Sequence, residues 1–238
     1  MLIPKYAFID LDNTLYSYEQ AHAPAHEALV SFLAQQLRLE IDNVNRDFES
    51  SRHIVKNRLG DTASSHSRLI YITEFLNQTG LIYRPAFALS AEQVYWKTYL
   101  ANMSLFDGVK DFLTLLRMAS CKTILVTDLT SSIQYRKIGW LGLDNYFDLI
   151  VTSEDAGGDK TSGMPEQLLV RLLGESNPAG WSIGDQEWDH LFKESTIFMK
   201  KLEKIDIFKR DFTLEQNGEF KSFSGLIDLL QRIKQESS

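Results

Sequence analysis

The sequence predicts an α/β protein, a doubly wound parallel sheet interrupted by an inserted block of helices. Three observations carry that reading. Apolar runs of strand length recur through residues 104–238 and alternate with amphipathic helical stretches, the pattern of a parallel sheet crossed by helices. A strand of the same kind, Tyr6-Ala-Phe-Ile, stands at the head of the chain and ends on Asp10. The interval from residue 16 to residue 103 is too long for one crossover and reads as four helices. The expected organisation is therefore a core of residues 1–15 and 104–238 with a second, helical domain at 16–103.

Within the insert, Leu29, Phe32, Leu33 and Leu37 give helical spacing to residues 21–39, and Val44, Phe48, Val55 and Leu59 do so for 44–59. A third helix runs from about His66 to Asn77, with Leu69, Ile72 and Leu76 on one face and Gly80 as its stop. A fourth is expected to start at Ser90, where Ser90 and Gln93 form the S-x-x-Q of a capping box ahead of Val94, Trp96, Tyr99 and Leu100. The core then resumes. Val109, Phe112, Leu113 and Leu116 form one helical face before the strand Thr123–Thr127, and a helix at 132–141 precedes a third strand, Phe147–Thr152. Pro165 suits the first residue of the next helix, along which Leu168, Leu169 and Leu172 align. A short strand before Gly184 is the weakest assignment, because it contains Gly180. Thr196–Met199 reads as a fifth strand, Leu226, Ile227, Leu230 and Ile233 mark a closing helix, and the terminal Gln235-Glu-Ser-Ser238 reads as disordered.

Composition is ordinary for a soluble globular protein. The 238 residues are 44% hydrophobic and 24% charged with a net charge of -7, and no basic block offers a surface to nucleic acid or anionic membrane. No signal peptide precedes the first strand and no apolar run approaches the roughly 20 residues of a membrane span, so a cytoplasmic location is the default expectation. Cys121 has no cysteine to pair with and sits just before an apolar strand, where a buried thiol is common.

Chemistry concentrates at Asp10 and Asp12. An isolated D-x-D is most often a surface turn, but here an apolar strand precedes it and Thr14-Leu15 follows. In an open α/β sheet the carboxyl ends of strands are where ligands bind. Two acids one residue apart can divide labour, one attacking while the other moves protons. Three more pieces follow in order: Thr123-Ile-Leu-Val-Thr127 ends a strand in a hydroxyl, Gly157-Gly-Asp-Lys160 puts an ammonium in a loop, and Ile183-Gly-Asp185-Gln-Glu-Trp-Asp189 adds Asp185 and Asp189.

Each piece occurs alone in many folds, but in this order and spacing they resemble the four signature motifs of the haloacid dehalogenase superfamily. Most members of that superfamily are magnesium-dependent phosphohydrolases. The resemblance implies that Asp10 is the nucleophile, forming an aspartyl-phosphate, and that Asp12 is the acid and then the base. It implies that Thr127 and Lys160 hold the phosphate oxygens, and that Mg2+ is bound by Asp10, Asp185, the Asp12 backbone carbonyl and Asp189, the last directly or from behind. Dehalogenases of the superfamily lack an acid at the Asp12 position, so the chain looks like a phosphatase of a small phosphorylated metabolite, a sugar phosphate or nucleotide monophosphate. The helical insert resembles the cap that chooses substrates in one subgroup.

Two other readings stand beside it, a phosphomutase and a protein that binds phosphorylated ligands with little turnover. Three departures from the family pattern are visible. Asp128 follows Thr127 and would repel a phosphate unless it turned away, toward Thr130 or Ser131. Thr161 replaces a frequent Pro, and His190–Ser195 lacks the usual small residues. Arg52, His53, Lys56 and Arg58 are candidates to touch a second anionic group on the substrate, though charged residues on such a helix usually form a solvated face. Tyr16 and Tyr18 either line the cleft or pack beneath the insert. His22 and His26 have zinc-ligand spacing but no third ligand, which leaves magnesium as the expected metal.

Overall fold

The structure, a computed structural model, describes residues 3–80, 85–202 and 218–236. The chain divides into two compact units, Met1–Ser17 with Ser104–Ser238, and Tyr18–Met103. Among the described residues of the first unit, six strands form one sheet in the order β3-β2-β1-β4-β5-β6, with every pair parallel. They are β1 (Tyr6–Ile9), β2 (Lys122–Thr127), β3 (Leu149–Thr152), β4 (Gly180–Gly184), β5 (Thr196–Lys201) and β6 (Gly218–Phe220). The chain builds outward from β1 through β2 to β3, then returns to the other side of β1 for β4. The point of reversal lies between β1 and β4, and their carboxyl ends, Asp10 and Asp185, flank it. That is the crevice where doubly wound sheets bind ligands.

The two central strands form where expected because they are buried on both faces. All four residues of β1 and all five of β4 are buried, as a central parallel strand requires. Gly180 does not weaken β4. A Cβ there would strike the Tyr6 carbonyl of β1, so glycine is what permits the two strands to pair at that register. The third strand is shorter than its apolar run, with Asp148 bonding back to the Thr123 backbone instead of extending it. The three-residue β6 escapes sequence reading altogether, being below the length at which alternation is visible.

Helices α1 (Tyr18–Leu37), α2 (Ile41–Leu59), α3 (Arg68–Gln78) and α4 (Pro85–Ala101) make the second unit. Its core is Leu29, Leu33, Phe48, Val55, Tyr71, Phe75, Tyr95 and Tyr99, all buried. The fourth helix does not begin at Ser90. It begins at Pro85, a residue suited to the first helical turn, and the Ser90 hydroxyl donates to the Ala86 carbonyl one turn back instead of capping. The His22 and His26 rings lie tilted against each other and bond to Tyr95 and Asn45 respectively, so neither approaches the geometry of a zinc site. Tyr18 accepts from the buried Arg68 within this unit.

The first unit continues through α5 (Val109–Met118), α6 (Ser131–Leu141), the single turn α7 (Ser153–Ala156), α8 (Met164–Leu173) and α9 (Phe223–Glu236). Gln235 and Glu236 belong to the last turn of α9, contrary to the expected disorder, while Ser237 and Ser238 lie outside the described residues. The chain leaves this unit and returns to it side by side: Tyr16 bridges Leu105, and the Phe106 N–H donates to the Leu15 carbonyl. The bulky stretch after Asp189 finds its place in the core. Leu191 and Phe192 pack with Tyr6, Phe8, Val126, Val151 and Leu169, which explains why small residues are absent there. Cys121 is buried, and burial pushes its thiol up to about 12. Among the described residues no helix is long and apolar enough to cross a membrane.

Candidate active site

The site grows from the ends of β1 and β4 and two loops. After Ile9 the chain must turn at once, and Asn13 makes the turn with φ of 61°, a conformation asparagine tolerates better than most residues. The turn brings the Thr14 hydroxyl back to donate to Asp10 Oδ2 at 3.0 Å. Asp10 is itself tied to β4 through its N–H to the Ile183 carbonyl, at 2.9 Å. At the end of β4, Gly184 is obligatory, because a Cβ would overlap the Asp189 carboxylate packed against it.

Lys160 closes the centre. It starts a short 3-10 turn, Lys160–Ser162, and its buried ammonium donates to Asp10 Oδ1 at 2.6 Å and to Asp189 Oδ1. Asp189 Oδ2 accepts from the Gln186 N–H at 2.9 Å, and Asp185 Oδ2 from the Gln186 amide at 2.7 Å. Carboxylate oxygens of Asp10, Asp185 and Asp189 all lie within 4.8 Å of one another, and all three residues are buried. Three buried acids against one lysine leave an excess of negative charge. Burial raises the Asp10 carboxyl well above its ordinary value, Lys160 opposes that, and the neighbouring carboxylates add to it. Asp185 is raised in the same way, chiefly by burial. Burial disfavours the Lys160 charge, but Asp10, Asp189 and Asp128 outweigh it and hold the ammonium well above its usual range. An all-oxygen, anionic, buried set of this kind suits a hard divalent cation.

Asp12 sits apart from that cluster. Lys137, on α6, donates to both its oxygens, at 2.8 and 3.0 Å, and the Tyr16 hydroxyl donates to Oδ1. Gln134, one helical turn before Lys137, reaches Asp12 Oδ2 at 3.4 Å and Thr127 Oγ1 at 2.6 Å, and it also donates to the Asp128 carbonyl. Burial alone would raise the Asp12 carboxyl. The Lys137 charge and the hydrogen bonds from Lys137, Tyr16 and Gln134 prevail and hold it below the ordinary carboxylate range. The Asp12 carboxylate is therefore no part of the acidic triad of Asp10, Asp185 and Asp189, in keeping with an expected metal donor that is its backbone carbonyl.

The sequence-predicted residues thus divide into two groups. Asp10, Lys160, Asp185 and Asp189 meet in one cluster, while Asp12 and Thr127 are joined through Gln134. Asp128 does turn away, but its partners are Ser153 Oγ at 2.9 Å and the Lys160 N–H at 3.0 Å, not Thr130 or Ser131. It orients the loop that carries Lys160, and the next residue, Leu129, holds φ of 92° to allow the excursion. Arg52 and Arg58 are paired with Glu49 and Glu74.

Sequence reading missed Tyr16 as a partner of Asp12, and missed Gln134 and Lys137 altogether. A signal existed. Ile133, Gln134, Lys137, Ile138 and Leu141 form one buried stripe of α6, so two polar residues occupy positions that helical periodicity assigns to the interior.

The fold and this constellation define a class, and comparison gives it a family. The family model of haloacid dehalogenase-like hydrolases matches residues 4–192. A curated relative, ribulose-1,5-bisphosphate 5-phosphatase of Halopiger xanaduensis, is 33% identical over 178 residues, 74% of each chain. The HAD-hydrolase YfnB of Bacillus subtilis, solved bound to magnesium, superposes with a TM-score of 0.68 at 17% identity over 96% of this chain and 99% of its own. A 2-haloacid dehalogenase from Pseudomonas syringae pv. Tomato DC3000 superposes with a TM-score of 0.69 at 19% identity, over 97% and 99%. The chain belongs to the haloacid dehalogenase-like hydrolases.

Proposed function

We propose that the chain is a magnesium-dependent phosphatase of this family that hydrolyses a phosphorylated sugar through an aspartyl-phosphate on Asp10. The observation that carries the reading is the separation of the two acids: Asp10 lies in a buried cluster with Lys160, and Asp12 is held out of it by a lysine of its own. One carboxylate is placed to bond to phosphorus and the other to carry a proton.

Asp10 attacks phosphorus with one carboxylate oxygen, and the bond between phosphorus and the ester oxygen breaks. Asp12, which Lys137 keeps ionised in the free protein, takes up the proton that the phosphate monoanion brings and gives it to the departing oxygen, so the product leaves as an alcohol. A water then attacks the phosphorus of the aspartyl-phosphate while Asp12 takes its proton, and inorganic phosphate and the free Asp10 carboxylate result. Lys160 and the Thr127 hydroxyl balance charge on the phosphoryl oxygens. Asp10, Asp185 and the Asp12 carbonyl would hold Mg2+, with Asp189 beside them, and the ion would neutralise the phosphate as it approaches the acids.

The sugar-phosphate class rests on the relative, whose name gives ribulose-1,5-bisphosphate as its substrate. The Asp128 carboxylate, which would repel a phosphate, is engaged instead by the Ser153 hydroxyl and the Lys160 N–H.

The test is a panel of sugar phosphates and nucleotide monophosphates assayed with magnesium, with chelator, and with Asp10→Asn. Turnover that needs magnesium and vanishes in Asp10→Asn is expected. Wild-type rates in Asp10→Asn refute the covalent mechanism, and no metal-dependent turnover across the panel refutes the phosphatase reading.

A further inference from the structure

We propose that Lys137, with Tyr16 and Gln134 beside it, is the positioning group of the reaction: it fixes the Asp12 carboxylate in the one orientation from which it serves the departing oxygen. The inference rests on the reading of Asp12 as proton carrier, and it extends that reading to residues of α6.

A lysine with 1% of its side chain exposed is an expensive component. Stability does not call for it. The position lies among Ile133, Ile138 and Leu141 on the buried stripe of α6, where an aliphatic residue would pack without desolvating a charge. Buried ion pairs are on balance no better for stability than hydrophobic residues of the same size. What Lys137 achieves is geometric. It engages both oxygens of Asp12, while Tyr16 donates to Oδ1 and Gln134 to Oδ2.

Three donors from two places in the chain fix a side chain that is itself 26% exposed and would otherwise sample several rotamers. They also set it relative to the loop after β2, because the Gln134 amide that touches Asp12 donates to the Thr127 hydroxyl and the Asp128 carbonyl. One turn of α6 therefore locates the proton carrier against the hydroxyl assigned to the phosphate. Misplacement by about 1 Å is enough to cost an oriented reaction about 10²-fold.

The test uses leaving groups. An alkyl phosphate needs a proton from Asp12 as its ester bond breaks, whereas p-nitrophenyl phosphate expels a stable anion and does not. The constant kcat/KM reports only the steps through release of the alcohol, which isolates that proton transfer from the later hydrolysis. Lys137→Met is expected to lower kcat/KM for an alkyl phosphate by about 10²-fold, the range of general acid catalysis, and for p-nitrophenyl phosphate by less than about five-fold.

In an Asp12→Asn background, Lys137→Met should add nothing on the alkyl ester, because a residue that acts through another has no effect once that other is gone. Tyr16→Phe keeps the buried ring and should show a smaller loss with the same leaving-group pattern, which keeps the test decisive if Lys137→Met does not fold. Equal losses on both esters, or losses that multiply in the double variant, overturn the inference and mark Lys137 as merely structural. A wild type that hydrolyses neither ester overturns the phosphatase reading and the inference with it. Wild-type activity on both, with variants that lose both alike, overturns the inference alone.

Discussion

Replacing Lys160 by methionine removes the cation from between Asp10 and Asp189 while keeping most of the buried volume. The ammonium lies 2.6 Å from Asp10 Oδ1 and in hydrogen-bond contact with Asp189, with 4% of its side chain exposed. At about 3 Å and an effective dielectric of about 20, each contact supplies about 5 kcal/mol of attraction before desolvation is counted. The net cost of stranding buried carboxylates is smaller, about 3–5 kcal/mol. Protonation of Asp10 absorbs part of it, so the lower end, about 3 kcal/mol, is expected in a metal-free protein at neutral pH. For a chain of this size that corresponds to a fall of about 6–12 °C in the unfolding midpoint. A divalent cation restores positive charge to the same carboxylates, so magnesium should raise the midpoint of the variant more than that of the wild type. Turnover in excess magnesium should still fall by about 10²–10³-fold, since the phosphoryl oxygens lose a fixed donor that the metal does not replace. Thermal unfolding followed by circular dichroism, in chelator and in excess magnesium, reads both effects. Equal midpoints for variant and wild type in chelator would refute the electrostatic account of the cluster.

The same cluster sets a pH dependence whose sign follows from the folded state. Asp10 and Asp185 have raised carboxyls, so their contribution is fully present below the ordinary value of 3.8 and is lost as pH rises through their folded-state values. The chelated protein should lose stability as pH climbs above 3.8, excess magnesium should flatten that decline, and a flat profile in chelator would count against it. Asp12 has the opposite sign: its carboxyl is lowered, and its contribution is lost only as pH falls below 3.8. Gly184→Ala places a methyl group on the Asp189 carboxylate. It should weaken magnesium binding by about 10–100-fold, read by calorimetry, and unchanged affinity would mean that the position of Asp189 does not matter to the metal.

The parts of this protein legible in its sequence are those where chemistry coincides with a local pattern. Asp10 and Asp12 close an apolar strand, Thr127 closes another, and Asp185 follows a third, so strand ends announce them. Lys160 is legible only by its order among the others. The illegible parts are long-range. Nothing within the chain segment around Lys137 says that α6 packs its buried stripe against the loop after β1, so a lysine in that stripe reads as a break in periodicity and not as a partner of Asp12. Asp128 shows the same limit from the other side: its charge looked like an obstacle, and only the fold reveals Ser153 and the Lys160 N–H waiting for it. At Ser90 local chemistry misled, because a sequence that can cap a helix can also lie inside one, and the favourable start at Pro85 decides which.

Similarity of fold extends to a 2-haloacid dehalogenase, so the sheet and its switch point do not select the bond to be broken. The choice must lie in what the leaving group needs. A halide departs as a stable anion, whereas the oxygen of a sugar ester departs well only with a proton. The cluster of Asp10, Lys160, Asp185 and Asp189 can support attack at a tetrahedral centre in either case, because none of its members has to reach the leaving group. On the proposed mechanism Asp12 is the residue whose role depends on that group, and it is the one outside the acidic triad, held by its own lysine, tyrosine and glutamine. Such an investment in one carboxylate is intelligible if the proton it carries is the step that separates phosphate esters from halides. It follows that substitutions at Tyr16, Gln134 or Lys137 should change which leaving groups are accepted before they change whether Asp10 can attack.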